Sequence, residues 1–184
     1  MKQIIFFGDS LTAGYGLKSV DTESFPARLQ QKIIANGFNY QVINAGLSGD
    51  TTSSALARLD KHLISPADIF VIALGANDML RGYSPASMAT NILEIIARVK
   101  KRYPEIKVLL LGMELPAWIT DANAAQYRQL YSSIASRENV ALLPFLLEGV
   151  AGQRSLNFPD GVHPNARGYE IIAEHVWPAL QKLL

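Results

Sequence analysis

Ser10 lies in the run Ile4-Ile5-Phe6-Phe7-Gly8-Asp9-Ser10-Leu11-Thr12, where a wholly apolar segment stops at a glycine, an aspartate and a serine. A serine hydroxyl is a poor nucleophile at neutral pH and needs a base. Three histidines are available. His62 falls in a helical pattern amid polar neighbours and His175 in the last helical pattern beside Glu174, so both read as surface or helix residues. His163 differs because it stands on a loop, three residues after Asp160 in Asp160-Gly161-Val162-His163-Pro164. A turn through Gly161 can bring the Asp160 carboxylate to the His163 Nδ1–H, fixing the tautomer and stabilising an imidazolium. Pro164 biases His163 away from helical angles. Taken alone, the same residues read more readily as an ordinary turn before a helix cap. Acyl transfer also needs donors where an oxyanion develops. The Gly46 N–H and the Asn77 side chain, both on loops that follow strands, are candidates, although each is also a common turn residue.

These groups help one another only if the fold gathers them. Ile4–Phe7 reads as a buried strand, and Gly8 as the tight turn that presents Ser10 past its end. A glycine-rich turn over 12–19 follows, then a helix from about Ser24 with Phe25, Leu29 and Ile33 at helical spacing. Further strands are expected over 40–44, 69–74, 106–111 and 140–144. Helices are expected over 51–64, from Pro85 to about Arg102, from Asp121 to about Arg137, and from about Asn165 to the end. Pro85 after Ser84 marks a helix start, and Lys100-Lys101-Arg102 complements the dipole at that helix's end. Strand and helix alternate throughout, which calls for a five-stranded parallel sheet covered on both faces, a three-layer α/β/α sandwich. Right-handed crossovers place every strand-to-helix loop at one sheet edge. Ser10, Gly46, Asn77 and the loop around Trp118 are therefore expected along one rim.

Bulk properties narrow the function classes. At 184 residues, 49% hydrophobic and 18% charged, the chain is expected to form one domain over 1–184. A net charge of +1 argues against nucleic acid as a partner. There is no cysteine, which excludes disulfides, thiolate metal sites and a cysteine nucleophile. No apolar run approaches the roughly 20 residues of a transmembrane helix. The first strand is expected directly after Met1, which leaves no room for a signal peptide in the chain as written. A cytoplasmic location is expected of the chain as written, and a periplasmic or secreted one of a processed form. Gly14-Tyr15-Gly16-Leu17-Lys18-Ser19 matches neither the P-loop nor the dinucleotide spacing, and no serine lies in Gly-x-Ser-x-Gly. A nucleotide- or flavin-binding module, or a non-catalytic ligand-binding one, stays open from topology alone.

Four blocks close that gap. Gly8-Asp9-Ser10-Leu11, Asn44-Ala45-Gly46, Gly75-Ala76-Asn77-Asp78 and Asp160-Gly161-Val162-His163-Pro164 resemble, in order, the blocks of the GDSL or SGNH serine hydrolases. The runs Gly8–Tyr15 and Asn77–Gly82 are most similar to those of small bacterial arylesterases and of the acyl-CoA thioesterase/lysophospholipase group. The resemblance implies a flavodoxin-like fold with no cofactor and no metal. It implies Ser10 as nucleophile, His163 as general base and then acid, Asp160 as its orienter, and an oxyanion hole of the Ser10 N–H, the Gly46 N–H and the Asn77 side chain. The implied partner is a small-molecule ester with a short- to medium-chain acyl group, with thioesters and lysophospholipids as further substrates. A carbohydrate acetylesterase on the same scaffold is the alternative. Leu47, Met79, Leu80, Trp118 and Phe158 either line an acyl or aryl pocket or pack the rim loops onto the sheet. Asp9 and Asp78 are expected to hold loops by hydrogen bonds.

Overall fold

A computed structural model describes residues 1–115 and 123–184. The elements run β1 (Lys2–Gly8), α1 (Ser10–Ala13), α2 (Val20–Glu23), α3 (Phe25–Ala35), β2 (Tyr40–Gly46), α4 (Thr52–Arg58), β3 (Ile69–Ala73), α5 (Ala76–Leu80), α6 (Pro85–Arg102), β4 (Lys107–Leu111), α7 (Ala124–Glu138), β5 (Ala141–Leu143) and α8 (Ala166–Gln181). The strands form one parallel sheet in the order β2-β1-β3-β4-β5. Residues Ile4 to Phe7 are at most 2% exposed, as a strand covered on both faces requires.

The strand order fixes the layers. From β1 the chain steps outward to β2, then reverses past β1 to β3 and continues to β4 and β5. With right-handed crossovers that reversal sends α3 to one face and α4, α6 and α7 to the other. In agreement, α3 packs with α8, and α6 packs with both α4 and α7. The reversal leaves a crevice at the C-terminal ends of β1 and β3, where open α/β sheets bind ligands.

Local chemistry accounts for the element ends. Ser24 and Ser84 cap α3 and α6 through the N–H groups of Ala27 and Ser87, each with proline in the first turn. Asn165 caps α8 by accepting from Arg167 and Gly168 N–H. Lys100 and Arg102 close α6 as expected and reach the carbonyls of Glu138 and Leu63.

Several expectations need correction. Gly8 makes no tight turn. It is glycine because a Cβ there would stand 2.1 Å from Thr12 Oγ1 and 2.7 Å from the Ala73 carbonyl. The chain enters a helical turn, α1, at Ser10, and the expected glycine-rich turn begins only after it, with Gly14 and Gly16 at positive φ. The helix expected over 51–64 ends at Arg58 and tightens into a 3₁₀ turn over Leu59–His62, so Leu59 and Leu63 are buried and Leu56 is only half-buried. His62 ends that turn half-buried, its ring 5.5 Å from that of Phe7 and edge-on. His175 lies in α8 as expected, where its Nε2 meets the Phe145 carbonyl at 2.9 Å and Glu148 at 3.4 Å. The start expected for α7 at Asp121 lies outside the described residues, as does Trp118.

Candidate active site

Three loops at the C-terminal sheet edge and the loop before α8 converge on Ser10. Asp9 begins the construction. Its carboxylate is 1% exposed and accepts the Leu11 N–H at 2.9 Å, which caps α1 and places Ser10 at the first helical position. An N–H at that position has no intrahelical partner and points outward. The Ser10 carbonyl is held from behind by Gly14 N–H at 3.0 Å, Tyr15 N–H at 3.1 Å and the Tyr169 hydroxyl at 3.5 Å.

His163 is brought to Ser10 by a hairpin-like return. Asn157 and Pro164 form an antiparallel bridge, and Phe158 N–H donates to the His163 carbonyl at 2.8 Å. Gly161, at φ +70°, makes the turn. Asp160 Oδ1 accepts from Val162 N–H at 2.9 Å and His163 N–H at 3.0 Å, and Oδ2 accepts from His163 Nδ1–H at 2.8 Å. A carboxylate cannot donate, so Nδ1 carries the ring proton and Nε2 is left as acceptor. The Ser10 hydroxyl donates to it at 3.0 Å. The backbone N–H of His163, then its ring and the Val162 N–H, hold the Asp160 carboxyl down at about 2. It stays ionised throughout the pH range in which an imidazole can act as a base. Such a relay moves a proton from Oγ to Nε2 as Oγ attacks an electrophile.

Asn77 stands across the crevice at the start of α5. Its Nδ2 donates to the Asp50 carbonyl at 2.9 Å, leaving the second amide hydrogen free for a ligand. Asp78 beside it is 1% exposed and accepts from the Thr52 N–H at 2.8 Å and the Thr52 hydroxyl at 2.6 Å, which ties α5 to the start of α4. Both aspartates of the motifs therefore hold loops.

Gly46 occupies a different place from the one its motif suggests. Successive residues of a strand turn their N–H groups to opposite edges. Leu47 N–H reaches Gly8 on the β1 side, whereas Val42 N–H is held by Gln30 on the free side of β2. Gly46 shares the parity of Val42, and its N–H donates to Asn44 Oδ1 at 3.0 Å. It lines a cavity of about 520 Å³ outside β2, together with Val20, Ser24, Gln30 and Asn44 but without Ser10, Asn77 or His163. It is glycine because a Cβ would stand 2.2 Å from the Ala13 nitrogen. The glycine nearer Asn77 is Gly49, at φ +86° in the turn closed by Asp50 N–H and the Leu47 carbonyl. The Gly49 carbonyl accepts from Arg81 at 3.1 Å, and among the described residues no group accepts its N–H.

The candidate pocket residues divide. Leu47 and Leu80 are 52% and 70% exposed on the rim, so neither packs a loop onto the sheet. Met79 is half-buried against the core. Phe158 covers Gly16, where a Cβ would meet its ring at 2.8 Å. Tyr15 is the rim aromatic that sequence reasoning passed over. Its ring centroid lies 4.6 Å from that of His163, and it is 54% exposed beside the reacting atoms.

Burial pushes the Asp9 carboxyl up to about 7, with the Leu11 N–H opposing and the charges of Asp50 and Asp78 adding. The folded chain therefore binds this proton more tightly than the unfolded chain, and stability is lost as pH rises from the unfolded value of 3.8 through about 7. Asp9→Asn keeps an oxygen for Leu11 and carries no charge. Its melting temperature should exceed that of the parent by on the order of 10 °C at pH 8 and should match it near pH 4, as thermal melts at the two values would show.

Among the described residues no group of three histidine, aspartate or glutamate side chains could hold a metal, and no helix is long and apolar enough to cross a membrane. Comparison with known proteins shows the family. Residues 6–171 match the model of the GDSL-like Lipase/Acylhydrolase family. Esterase TesA of Pseudomonas aeruginosa is 38% identical over 98% of this chain and 89% of its own length. Thioesterase 1/protease 1/lysophospholipase L1 of Escherichia coli is 33% identical over 98% of this chain and 84% of its own. A crystal structure of TesA superposes with a TM-score of 0.92 at 36% identity, covering all of both chains. A serine–imidazole–carboxylate relay at the topological switch point, in a chain matched across nearly its whole length, makes this protein a member of the GDSL-like, or SGNH, hydrolases.

Proposed function

We infer that the protein hydrolyses carboxylic esters of short to medium acyl length through an acyl-enzyme on Ser10. The reading rests on one observation, the unbroken relay from Ser10 Oγ through His163 to Asp160 at 3.0 and 2.8 Å. Ser10 Oγ attacks the ester carbonyl while His163 Nε2 takes its proton. The same proton passes to the departing alcohol or phenol, and the acylated serine remains. A water then delivers its proton to Nε2 and its oxygen to the acyl carbon, and collapse returns the hydrogen to Ser10. The oxyanion formed in each half is received by the Ser10 N–H and the free Asn77 amide hydrogen. A third donor comes from the 47–50 turn, where the Gly49 N–H is unengaged among the described residues. Gly46 would have to release Asn44 to contribute.

The rim supports the substrate class. Tyr15, Leu47 and Leu80 present exposed apolar surface beside the serine, suited to an aryl group or a short alkyl chain. An acyl thioester presents the same carbonyl and a better leaving group, so thioesters and single-chain lysophospholipids are within reach of the same chemistry. Fluorophosphonate labelling with peptide mapping tests the nucleophile and should place the adduct on Ser10 of the folded protein only. Rates on aryl esters of graded acyl length, acyl-CoA thioesters and lysophospholipids, measured in parallel, test the substrate. Aryl esters should lead by about tenfold or more, because the exposed apolar rim of Tyr15, Leu47 and Leu80 suits an aryl group, whose burial is worth about 1–2 kcal/mol. An unlabelled Ser10 would sink the nucleophile assignment, and a preference for acetylated sugars would replace the substrate class.

A further inference from the structure

Behind the site lies a buried cation that the chemistry above does not use. The Arg58 side chain, 13% exposed at the end of α4, reaches under the C-terminal ends of the central strands. Its Nη2 donates to the Gly8 carbonyl at 3.0 Å and to the Ala45 carbonyl at 2.9 Å. Nε donates to Asp50 Oδ2 at 2.5 Å, and Nη1 to His62 Nε2 at 2.8 Å. The flat face lies 4.3 Å from the centre of the Phe7 ring. Every nitrogen of the guanidinium is therefore engaged, with a ring filling one of its faces.

The partners matter more than their number. Gly8 is the last residue of β1, two before Ser10. Ala45 stands just ahead of the turn that holds Gly49. Asp50 ends that turn, and its own carbonyl is the group that orients the Asn77 amide at 2.9 Å. Asp50 Oδ1 is fixed independently by the Ser54 hydroxyl at 2.9 Å, so the carboxylate can turn only a little without breaking one contact or the other. One side chain thus connects the strand that bears the serine, the turn that follows β2, and the residue that aims Asn77 from β3. A point-charge ammonium could neutralise Asp50, but it has no planar fork with which to span two carbonyls and a carboxylate at once.

We propose that Arg58 is a positioning residue for the oxyanion hole, acting through Asp50 to set the distance between Ser10 Oγ and the Asn77 amide. The proposal rests on the reading of Asn77 as an oxyanion donor. Its consequence is specific to the transition state. Donors displaced by a fraction of an ångström bind the ground-state ester nearly as before and lose the tetrahedral intermediate. A residue that merely holds the fold together would instead lower the melting temperature and leave the turnover of the folded fraction alone.

A double-mutant cycle separates the two. Asn77→Ala alone should lower kcat by about 10²–10³-fold on an aryl ester. Arg58→Lys alone should lower kcat by about 10–100-fold with KM within about twofold, and in the Asn77→Ala background by less than about threefold, since the donor it positions is already gone. Asp50→Asn leaves Arg58 its acceptor oxygen and removes the charge. It should show the same coupling to Asn77 at smaller amplitude and supplies the cycle if Arg58→Lys does not fold. An equal fall in both backgrounds, or a fall in melting temperature with kcat unchanged, overturns the role of Arg58. Wild-type kcat in Asn77→Ala overturns the oxyanion assignment itself, and the proposal with it.

Discussion

Ser10→Ala should fold normally and lose turnover by about 10⁵–10⁶-fold on an activated aryl ester. The expectation of an intact fold comes from what Ser10 does besides reacting. Its carbonyl is held by Gly14, Tyr15 and Tyr169, and its N–H is set by the Asp9 cap of α1. None of these contacts uses Oγ, whose one partner among the described residues is His163 Nε2. The substitution thus removes a nucleophile and leaves the donors that would face an oxyanion, so a slow residual reaction above the uncatalysed rate should persist. Initial rates beside a melting curve check both halves. A variant within about tenfold of the parent would mean that acyl transfer occurs elsewhere, and a variant that loses its melting transition would mean that the hydroxyl has a structural role the contacts do not reveal.

What could be foreseen from the sequence, and what could not, follows from the range of each interaction. Ile4–Phe7 and Ile69–Ala73 were legible because a strand covered on both faces has to be apolar at every position. The start of α3 was legible because Phe25, Leu29 and Ile33 recur at helical spacing, and that of α6 because serine followed by proline is a local signal. The Asp160–His163 pairing was legible as well, since three residues and a glycine turn suffice to close it. The four-residue α1 was invisible, for it is too short to show a period and depends on a single carboxylate cap. Gly46 misled because a glycine in a motif does not disclose which strand edge its N–H faces; that is settled by the register of β2 on β1 and by the crowding of Ala13. Arg58 left no trace at all. Its partners include two backbone carbonyls on different strands, and no pattern of side chains announces them. Tyr15 was overlooked for a related reason, since the ring it meets lies almost the whole chain away.

Asp160→Asn should cost about 10³–10⁴-fold in kcat, although the change removes no contact to Ser10 and the side chain is 41% exposed. The reason is the direction of one hydrogen bond. In the parent, Oδ1 takes two backbone N–H groups and Oδ2 takes the Nδ1–H of His163. An asparagine keeps the first pair with its carbonyl oxygen, so the loop and the Gly161 turn hold. That choice points the amide N–H₂ at Nδ1. The imidazole then accepts at Nδ1 and carries its proton on Nε2, the tautomer that cannot take a proton from Ser10. The ring stays where the Tyr15 face and the Phe158 bridge keep it, 3.0 Å from Oγ, and points a donor where an acceptor is needed. The loss should appear in kcat and in the rate of fluorophosphonate labelling alike, with the KM for the ester close to that of the parent, because the rim that meets the substrate is untouched. The parent carboxyl, held at about 2, remains ionised through the assay range, so lowering pH to 5 should not reproduce the Asn phenotype by protonating Asp160. An Asn variant that retains more than about a tenth of parental kcat would show that His163 reaches its productive tautomer without the carboxylate, and would reduce Asp160 to a loop anchor.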